Sequence, residues 1–174
     1  ETVVSYEVGI KSTLLDRRLR LNVTGFIYDY SDLQVFTFTP SGLQFIENAS
    51  NARVEGVEIE IQSKPFDNLE LGASAGLLSS EYRDFTRDLG GATEDLSGNR
   101  LIGAPNTQFN IVGKYSLPIS PGDIWVRGDF TYTGNRYYDE RELEEISSEG
   151  ATTNLNASIG FTDAGERFEV SAWA

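Results

Sequence analysis

The 174-residue sequence contains no cysteine, no histidine and no methionine. Without cysteine there is no disulfide framework, no thiol nucleophile and no thiolate metal site. Without histidine, imidazole triads, paired-histidine zinc sites and a histidine general base are excluded. The missing methionine extends to position 1, which leads to the expectation of a mature or excised segment. Basic residues are few: 14 Lys and Arg stand against 27 Asp and Glu, a formal net charge of -13. A general nucleic-acid binder carries a basic footprint, so nucleic acid is not an expected partner. No stretch approaches the roughly 18 consecutive apolar residues of a membrane-spanning helix. No charged start leads into an apolar run, so no signal peptide is visible. Neither absence bears on a β-barrel, whose strands cross with about 9–11 residues, many of them polar.

What is present is period two. Tyr6, Val8 and Ile10 alternate with Glu7, Gly9 and Lys11. Leu19, Leu21, Val23 and Ile27 share one face; Arg20, Asn22 and Thr24 share the other, followed there by Phe26, Tyr28 and Tyr30. The clearest stretch runs from Val57 to Gln62. Val57, Ile59 and Ile61 point one way, and Glu58, Glu60 and Gln62 the other. A helix scatters such residues around its axis, whereas a strand aligns them. Similar alternation recurs from Leu69 to Leu77, Gln108 to Tyr115, Ile124 to Tyr132 and Asn154 to Phe161, and begins again at Phe168. Trp125 breaks the polar face of its stretch. About eight strands follow. The connections at Asp16, Pro65–Asn68, Pro118–Asp123 and Asp163–Glu166 are short, and those at 39–44, 82–105 and 135–150 are long. The expected fold is all-β, an antiparallel up-and-down meander with one end trimmed and the other elaborated. That asymmetry suits a transmembrane barrel. A two-sheet sandwich remains the alternative. A dry core around Val57, Ile59 and Ile61 would favour the sandwich, and an outward apolar band about 25 Å tall the barrel. A barrel also expects Tyr6, Tyr28, Tyr115, Tyr132 and Trp173 to cluster at two heights.

In this order and spacing the segments resemble the carboxy-terminal portion of the β-barrel of TonB-dependent outer-membrane receptors. Ser5-Tyr6-Glu7-Val8-Gly9-Ile10-Lys11-Ser12 resembles a barrel strand of that family. Arg18 to Val23, Phe26 to Tyr30 and Leu33-Gln34-Val35 resemble the next. Asn48-Ala49 followed by Gly56-Val57-Glu58-Ile59-Glu60 is similar to its most recognisable stretch. Leu96-Ser97-Gly98-Asn99-Arg100 with Ala104-Pro105 is similar to a loop re-entering the barrel, and Val170-Ser171-Ala172-Trp173 to the start of a penultimate strand. The resemblance covers essentially the whole chain. It implies a 22-strand barrel around an amino-terminal plug, of which residues 1–174 supply about eight strands and no plug. It implies TonB-dependent import of siderophore-bound iron, cobalamin or another scarce ligand across the bacterial outer membrane. The implied partners are the plug, the remaining barrel strands, TonB through an amino-terminal segment, and outer-membrane lipid with lipopolysaccharide. No cofactor and no enzymatic activity are expected. The alternative is a soluble or surface-exposed β-sheet binding module without a transport role.

The polar residues support no catalytic site. Glu58 and Glu60 share a strand face at roughly 6.6 Å, a spacing compatible with a glycosidase pair, yet nothing marks a sugar cleft beside them. Glu7, Arg20, Glu58, Glu60, Glu70 and Lys114 read as the lining of a lumen that meets water or a plug. The long loops are acidic, with Asp84, Asp88, Glu94 and Asp95, then Asp139, Glu140, Glu142, Glu144 and Glu145. Calcium favours such oxygen ligands, but the spacing matches no EF-hand and no metal site is assigned. Arg83, Arg87, Arg100 and Arg136 are interspersed there, with Arg141, and either pair with those carboxylates or meet an anionic ligand. Arg136-Tyr137-Tyr138 is the best candidate for a ligand-facing aromatic patch. Gly90-Gly91 and Gly98 lack the Gly-Lys-Ser/Thr ending of a phosphate loop.

Overall fold

The computed structural model describes residues 1–38, 44–88 and 92–174. The strands and the one short helix run β1 (Thr2–Leu14), β2 (Leu19–Phe38), β3 (Gln44–Phe66), β4 (Leu69–Asp88), β5 (Thr93–Asp95), β6 (Thr107–Ile119), β7 (Gly122–Thr133), β8 (Arg136–Tyr137), α1 (Glu144–Ser147), β9 (Ser148–Glu149), β10 (Thr152–Asp163) and β11 (Glu169–Trp173). Eight strands form a single antiparallel path, β1-β2-β3-β4-β6-β7-β10-β11. Each pairs with its neighbour in chain order, as a meander requires. β5 adds to β4 alone, and β8 pairs with β9 in a small separate ribbon. No helix among the described residues is long and apolar enough to cross a membrane, which says nothing about crossing by strands.

Residues directly opposite in an antiparallel pair share a face. The register therefore carries each strand's alternation across the sheet. Ile10 faces Val23, Val23 faces Ile59 and Ile59 faces Ala75. Ala75 faces Phe109, and Phe109 faces Tyr132. Further on, Val126 faces Ile159 and Ile159 faces Ala172. One face is thus apolar from the first strand to the last. Nothing covers it among the described residues: Val8 is 77% exposed, Leu155 73%, Val57 40% and Ile61 37%. A sandwich would place these side chains between two sheets. No second layer stands over them, so the sandwich expectation lacks its core. On β6 the apolar run from Phe109 to Ile119 covers roughly 33 Å along the strand, or about 25 Å of height at a tilt near 40°. At the long-loop end the same face turns charged. Asp29, Arg53 and Glu81 lie side by side on β2, β3 and β4, and Arg53 grips Asp29 through Nε and Nη2 at 2.7 and 3.0 Å.

Aromatic placement differs in part from expectation. Tyr6, Tyr115 and Tyr132 lie on the apolar face, Tyr6 and Tyr132 in the strand halves nearer the long loops and Tyr115 nearer a short turn. Tyr28 and Trp173 lie on the opposite face. Tyr28 stacks on Phe26 at 4.9 Å, and Trp173 faces Ser158. Trp125 interrupts the polar face because Gly160 stands opposite it. A Cβ at Gly160 would collide with the indole ring, so only glycine leaves room for Trp125 to lie flat and buried. Gly56 works the same way for Phe26, whose ring would stand 2.8 Å from an added Cβ.

The long connections are shorter than the sequence reading expected. β4 continues past Tyr82 to Asp88, β5 folds back on it, and among the described residues the loop is the stretch between β5 and β6. The expected loop at 135–150 contains β8, α1 and β9. Alternation fails there because neither side of the chain faces a uniform medium. A register irregularity between Asn51 and Ala52 also breaks the period. The expected loop at 39–44 falls largely on 39–43, outside the described residues, as does Gly90-Gly91.

Candidate functional site

The described residues have one buried hydrophobic cluster, and it lies at the long-loop end. Val35 from β2, Ala52 from β3 and Tyr82 and Phe85 from β4 pack with Leu96, with Tyr30, Leu33 and Leu101 against them. Phe85 is 1% exposed. The segment after β5 is stitched along the free edge of β4. Leu96 N–H donates to the Phe85 carbonyl at 2.8 Å, Tyr82 N–H to that of Asn99 at 2.9 Å, and Gly98 N–H to that of Tyr82 at 2.7 Å. Leu78 N–H closes the row on the Asn106 carbonyl at 2.8 Å. Gly98 has φ +88°, a left-handed conformation that glycine adopts without steric cost. Burial, with the nearby Glu140 charge, pushes the Tyr82 hydroxyl up to about 12.

The second long connection closes over the first through ion pairs. Arg87 on β4 meets Glu140 at 3.0 Å, and both side chains are about nine-tenths buried. Asn99 Nδ2 donates to the Glu140 carbonyl at 2.8 Å. Arg100 binds Glu142 through its backbone N–H at 2.7 Å and its Nε at 3.3 Å. Its Nη1 donates to Asn106 Oδ1 at 2.9 Å, and its guanidinium lies 4.5 Å over the Tyr137 ring. Gly103 N–H donates to the Tyr137 carbonyl at 2.7 Å. Within the second connection, Arg136 and Tyr138 converge on Glu149, with Nη2 at 2.6 Å and the tyrosine hydroxyl donating at 2.5 Å. These two donors hold the Glu149 carboxyl below its ordinary range. Arg141 does the same for Asp139.

Of the six residues expected to face a ligand, the structure brings Arg87, Arg100 and Tyr137 into this loop-to-loop contact. Arg136 and Tyr138 form a second pair around Glu149. Arg83 stands apart from both and pairs with Glu81 on its own strand at 2.9 Å. Asn99, Glu140 and Glu142 are the partners that the sequence reading did not assign. The only signal available was the interleaving of Arg with Asp and Glu, which does not say who pairs with whom. Among the described residues no group of three acidic side chains is arranged to hold a metal ion.

The residues expected to line a lumen share one sheet face. Glu7 faces Phe26, and Phe26 faces Gly56, which is in phase with Glu58 and Glu60. Glu60 faces Ser74, in phase with Glu70, and Glu70 faces Lys114. Arg20 is in phase with Phe26. This face lies opposite the apolar one. Asn22 Nδ2 donates to Glu60 at 3.0 Å, the Tyr28 hydroxyl to Glu7 at 2.8 Å, and Lys64 pairs with Glu70 at 3.2 Å. Arg127, opposite Lys114, belongs to the same face and was missing from the expected set.

An uncovered apolar face, a polar face opposite it and elaborated connections at one end make up a barrel wall. A family model described as TonB dependent receptor-like, beta-barrel, matches residues 1–174. The chain belongs to this family. Membership places it among transport proteins rather than enzymes. The metal-pseudopaline receptor CntO of Pseudomonas aeruginosa is 25% identical over 144 residues, 82% of this chain and 18% of the receptor. Solved receptors share the fold. The ferric yersiniabactin uptake receptor FyuA of Yersinia pestis superposes with a TM-score of 0.78 at 19% identity, over 98% of this chain and 24% of that one. The siderophore receptor PiuA of Acinetobacter baumannii gives 0.72 at 18% identity, over 91% and 22%. The chain thus spans about a fifth of the length of the curated relatives named here, and its sheet is an open part of such a barrel.

Proposed function

We propose that residues 1–174 form part of the wall and outer loops of a receptor that takes up a scarce nutrient across the bacterial outer membrane, gated by the ligand and driven through TonB. The observation that carries this reading is the eight-strand sheet with one continuous, uncovered apolar face. In water such a face is an association hazard; in a bilayer it is the surface that hydrocarbon solvates. The polar face then looks inward, with Glu7, Arg20, Glu58, Glu60, Glu70 and Lys114 toward the lumen and the receptor's plug. The strands β1 and β11 pair with the remaining wall, because open edges in hydrocarbon leave backbone groups unsatisfied at several kcal/mol each. The row Asp29–Arg53–Glu81 stands at the headgroup level, next to lipopolysaccharide. The long connections face outward, and Arg83, Arg136 and Tyr138 are the side chains offered to a ligand at their surface.

The names of the relatives support a chelated metal as the cargo, a siderophore–iron complex being the first candidate. The test is accumulation of labelled ferric chelates by cells that express the full-length receptor, with and without TonB. The expected result is accumulation of at least one chelate that disappears when TonB is removed. Accumulation that ignores TonB, or none across a broad panel in a correctly inserted receptor, overturns the reading.

A further inference from the structure

Two ion pairs close the second connection over the first, and they are unlike. Arg87–Glu140 is sealed, with side chains 10% and 9% exposed. Arg100–Glu142 stands open, at 21% and 28%. The open pair is also loosely fitted. Glu142 spends one oxygen, Oε1, on both the Arg100 backbone N–H at 2.7 Å and its Nε at 3.3 Å. A guanidinium ordinarily meets a carboxylate at about 2.7–2.9 Å, often through two parallel bonds. Here that edge is half used: among the described residues Nη2 of Arg100 has no hydrogen-bond partner. Glu142 reaches the pair from a left-handed backbone, φ +53°, which brings its Cβ too close to the following carbonyl oxygen.

Arg100 is held in place by other means. Its guanidinium lies 4.5 Å over the Tyr137 ring, and Nη1 donates to Asn106 Oδ1 at 2.9 Å. Tyr137 is buried, and its carbonyl accepts from Gly103 N–H at 2.7 Å. A planar cation fixed on an aromatic face turns a rigid fork of donors toward a planar anion. The Arg100 backbone N–H adds one more donor beside that fork. The neighbouring carboxylates are engaged elsewhere: Glu140 with Arg87, Asp139 with Arg141 and Glu149 with Arg136. Glu144 accepts from the Tyr137 hydroxyl at 3.4 Å.

We infer that Arg100, laid on Tyr137, is a seat for a carboxylate of the transported chelate, and that the chain's own Glu142 fills it until that carboxylate arrives. This rests on the proposal that the chain belongs to an uptake receptor, and it adds a ligand chemistry and a displacement step. The arriving carboxylate bonds Nε and Nη2 side by side. Glu142 leaves to water and its backbone relaxes. Glu140, two residues away, keeps the connection anchored on Arg87, so the swing stays local to Glu142.

The full-length receptor in outer-membrane vesicles provides the test, read by hydrogen exchange at the Arg100 amide. Glu142→Ala is expected to expose that amide while those of Leu96 and Gly98, which bond to β4, stay protected. Millimolar propionate, the detached equivalent of the lost side chain, should restore protection, and uncharged propionamide should not. Loosening of Leu96 and Gly98 as well, no rescue, or equal rescue by propionamide overturns the inference. Labelled ferric citrate, which carries ionised carboxylates, extends the result to a chelate. Its binding should tighten about tenfold in Glu142→Gln, where the internal competitor has lost its charge, and weaken about tenfold in Arg100→Lys. Uncharged ferric acetohydroxamate should show neither change. An equal change for both chelates, or no binding of ferric citrate, overturns the inference even where propionate protects. Uptake that ignores TonB overturns the transport reading and leaves the carboxylate seat standing.

Discussion

The wall and the outer end of this molecule are held together by different means. Across the wall each strand touches its sequential neighbours, one face is uncovered, and side-chain pairs such as Lys64–Glu70 are exposed. At the outer end, strand tips and two connections enclose Tyr82, Phe85 and Leu96, and the Arg87–Glu140 pair is buried between them. In the proposed receptor the wall would take its order from what lies outside it, lipid on one side and lumen contents on the other. The loops carry their own core. A receptor built this way keeps its outer surface shaped whatever the wall is doing, and the two regions should respond differently to substitution.

The largest expected effect is Phe85→Ala, at about 3–5 kcal/mol for a fully buried aromatic. Hydrogen exchange should rise between Leu96 and Asn106 while Val57–Ile61 stays protected. Equal loosening of both regions would break the distinction. Glu140→Ala leaves the Arg87 guanidinium buried without its partner, at about 3–5 kcal/mol. The same exchange measurement should show the connection from Arg136 to Glu149 freed, and Arg87→Met combined with Glu140→Leu should recover much of the loss. On the wall, Ile59→Arg puts a charge on the apolar face, at about 2–4 kcal/mol if that face meets the bilayer midplane. Unfolding from lipid vesicles should report the loss, whereas Glu58→Arg on the other face should cost far less. At the short-turn end, Asp67→Ala removes the exposed pair with Arg18 and should change stability by no more than about 1 kcal/mol.

Acid sharpens the contrast further. The carboxyls of Asp139 and Glu149 are held below their ordinary values, by Arg141 in the first case and by Tyr138 and Arg136 in the second. Their contribution is present above the unfolded carboxylate range and is lost as pH falls toward the depressed folded values. Exchange in the Arg136–Glu149 connection should therefore rise below about pH 4.

The wall was legible in the sequence because each of its faces carries one kind of side chain along every strand. Val57 to Gln62 alternates without error, and the six residues expected to line a lumen share one sheet face in the register. Trp125 looked like a defect in that alternation. Its reason, the vacancy left by Gly160 on the next strand, appears only once the register is known. The outer end was hidden for a related cause. Beyond Tyr82 the strand packs Phe85 into the buried cluster and a register irregularity between Asn51 and Ala52 shifts its phase, so period two lapses although the strand continues to Asp88. The pairing of Arg87 with Glu140 and of Arg100 with Glu142 joins residues far apart in sequence, and charge composition alone does not assign partners.

The central claim is that the two faces of this sheet meet two different media. The absence of cysteine from these 174 residues makes a single-label scan direct. Spin labels placed one at a time from Val57 to Gln62 in the membrane-inserted full-length receptor should alternate. At Val57, Ile59 and Ile61 dissolved oxygen, which concentrates in lipid, should dominate their relaxation. At Glu58, Glu60 and Gln62 oxygen should have the weaker effect. Uniform oxygen access along the segment, or low access at Val57, Ile59 and Ile61, would contradict the account.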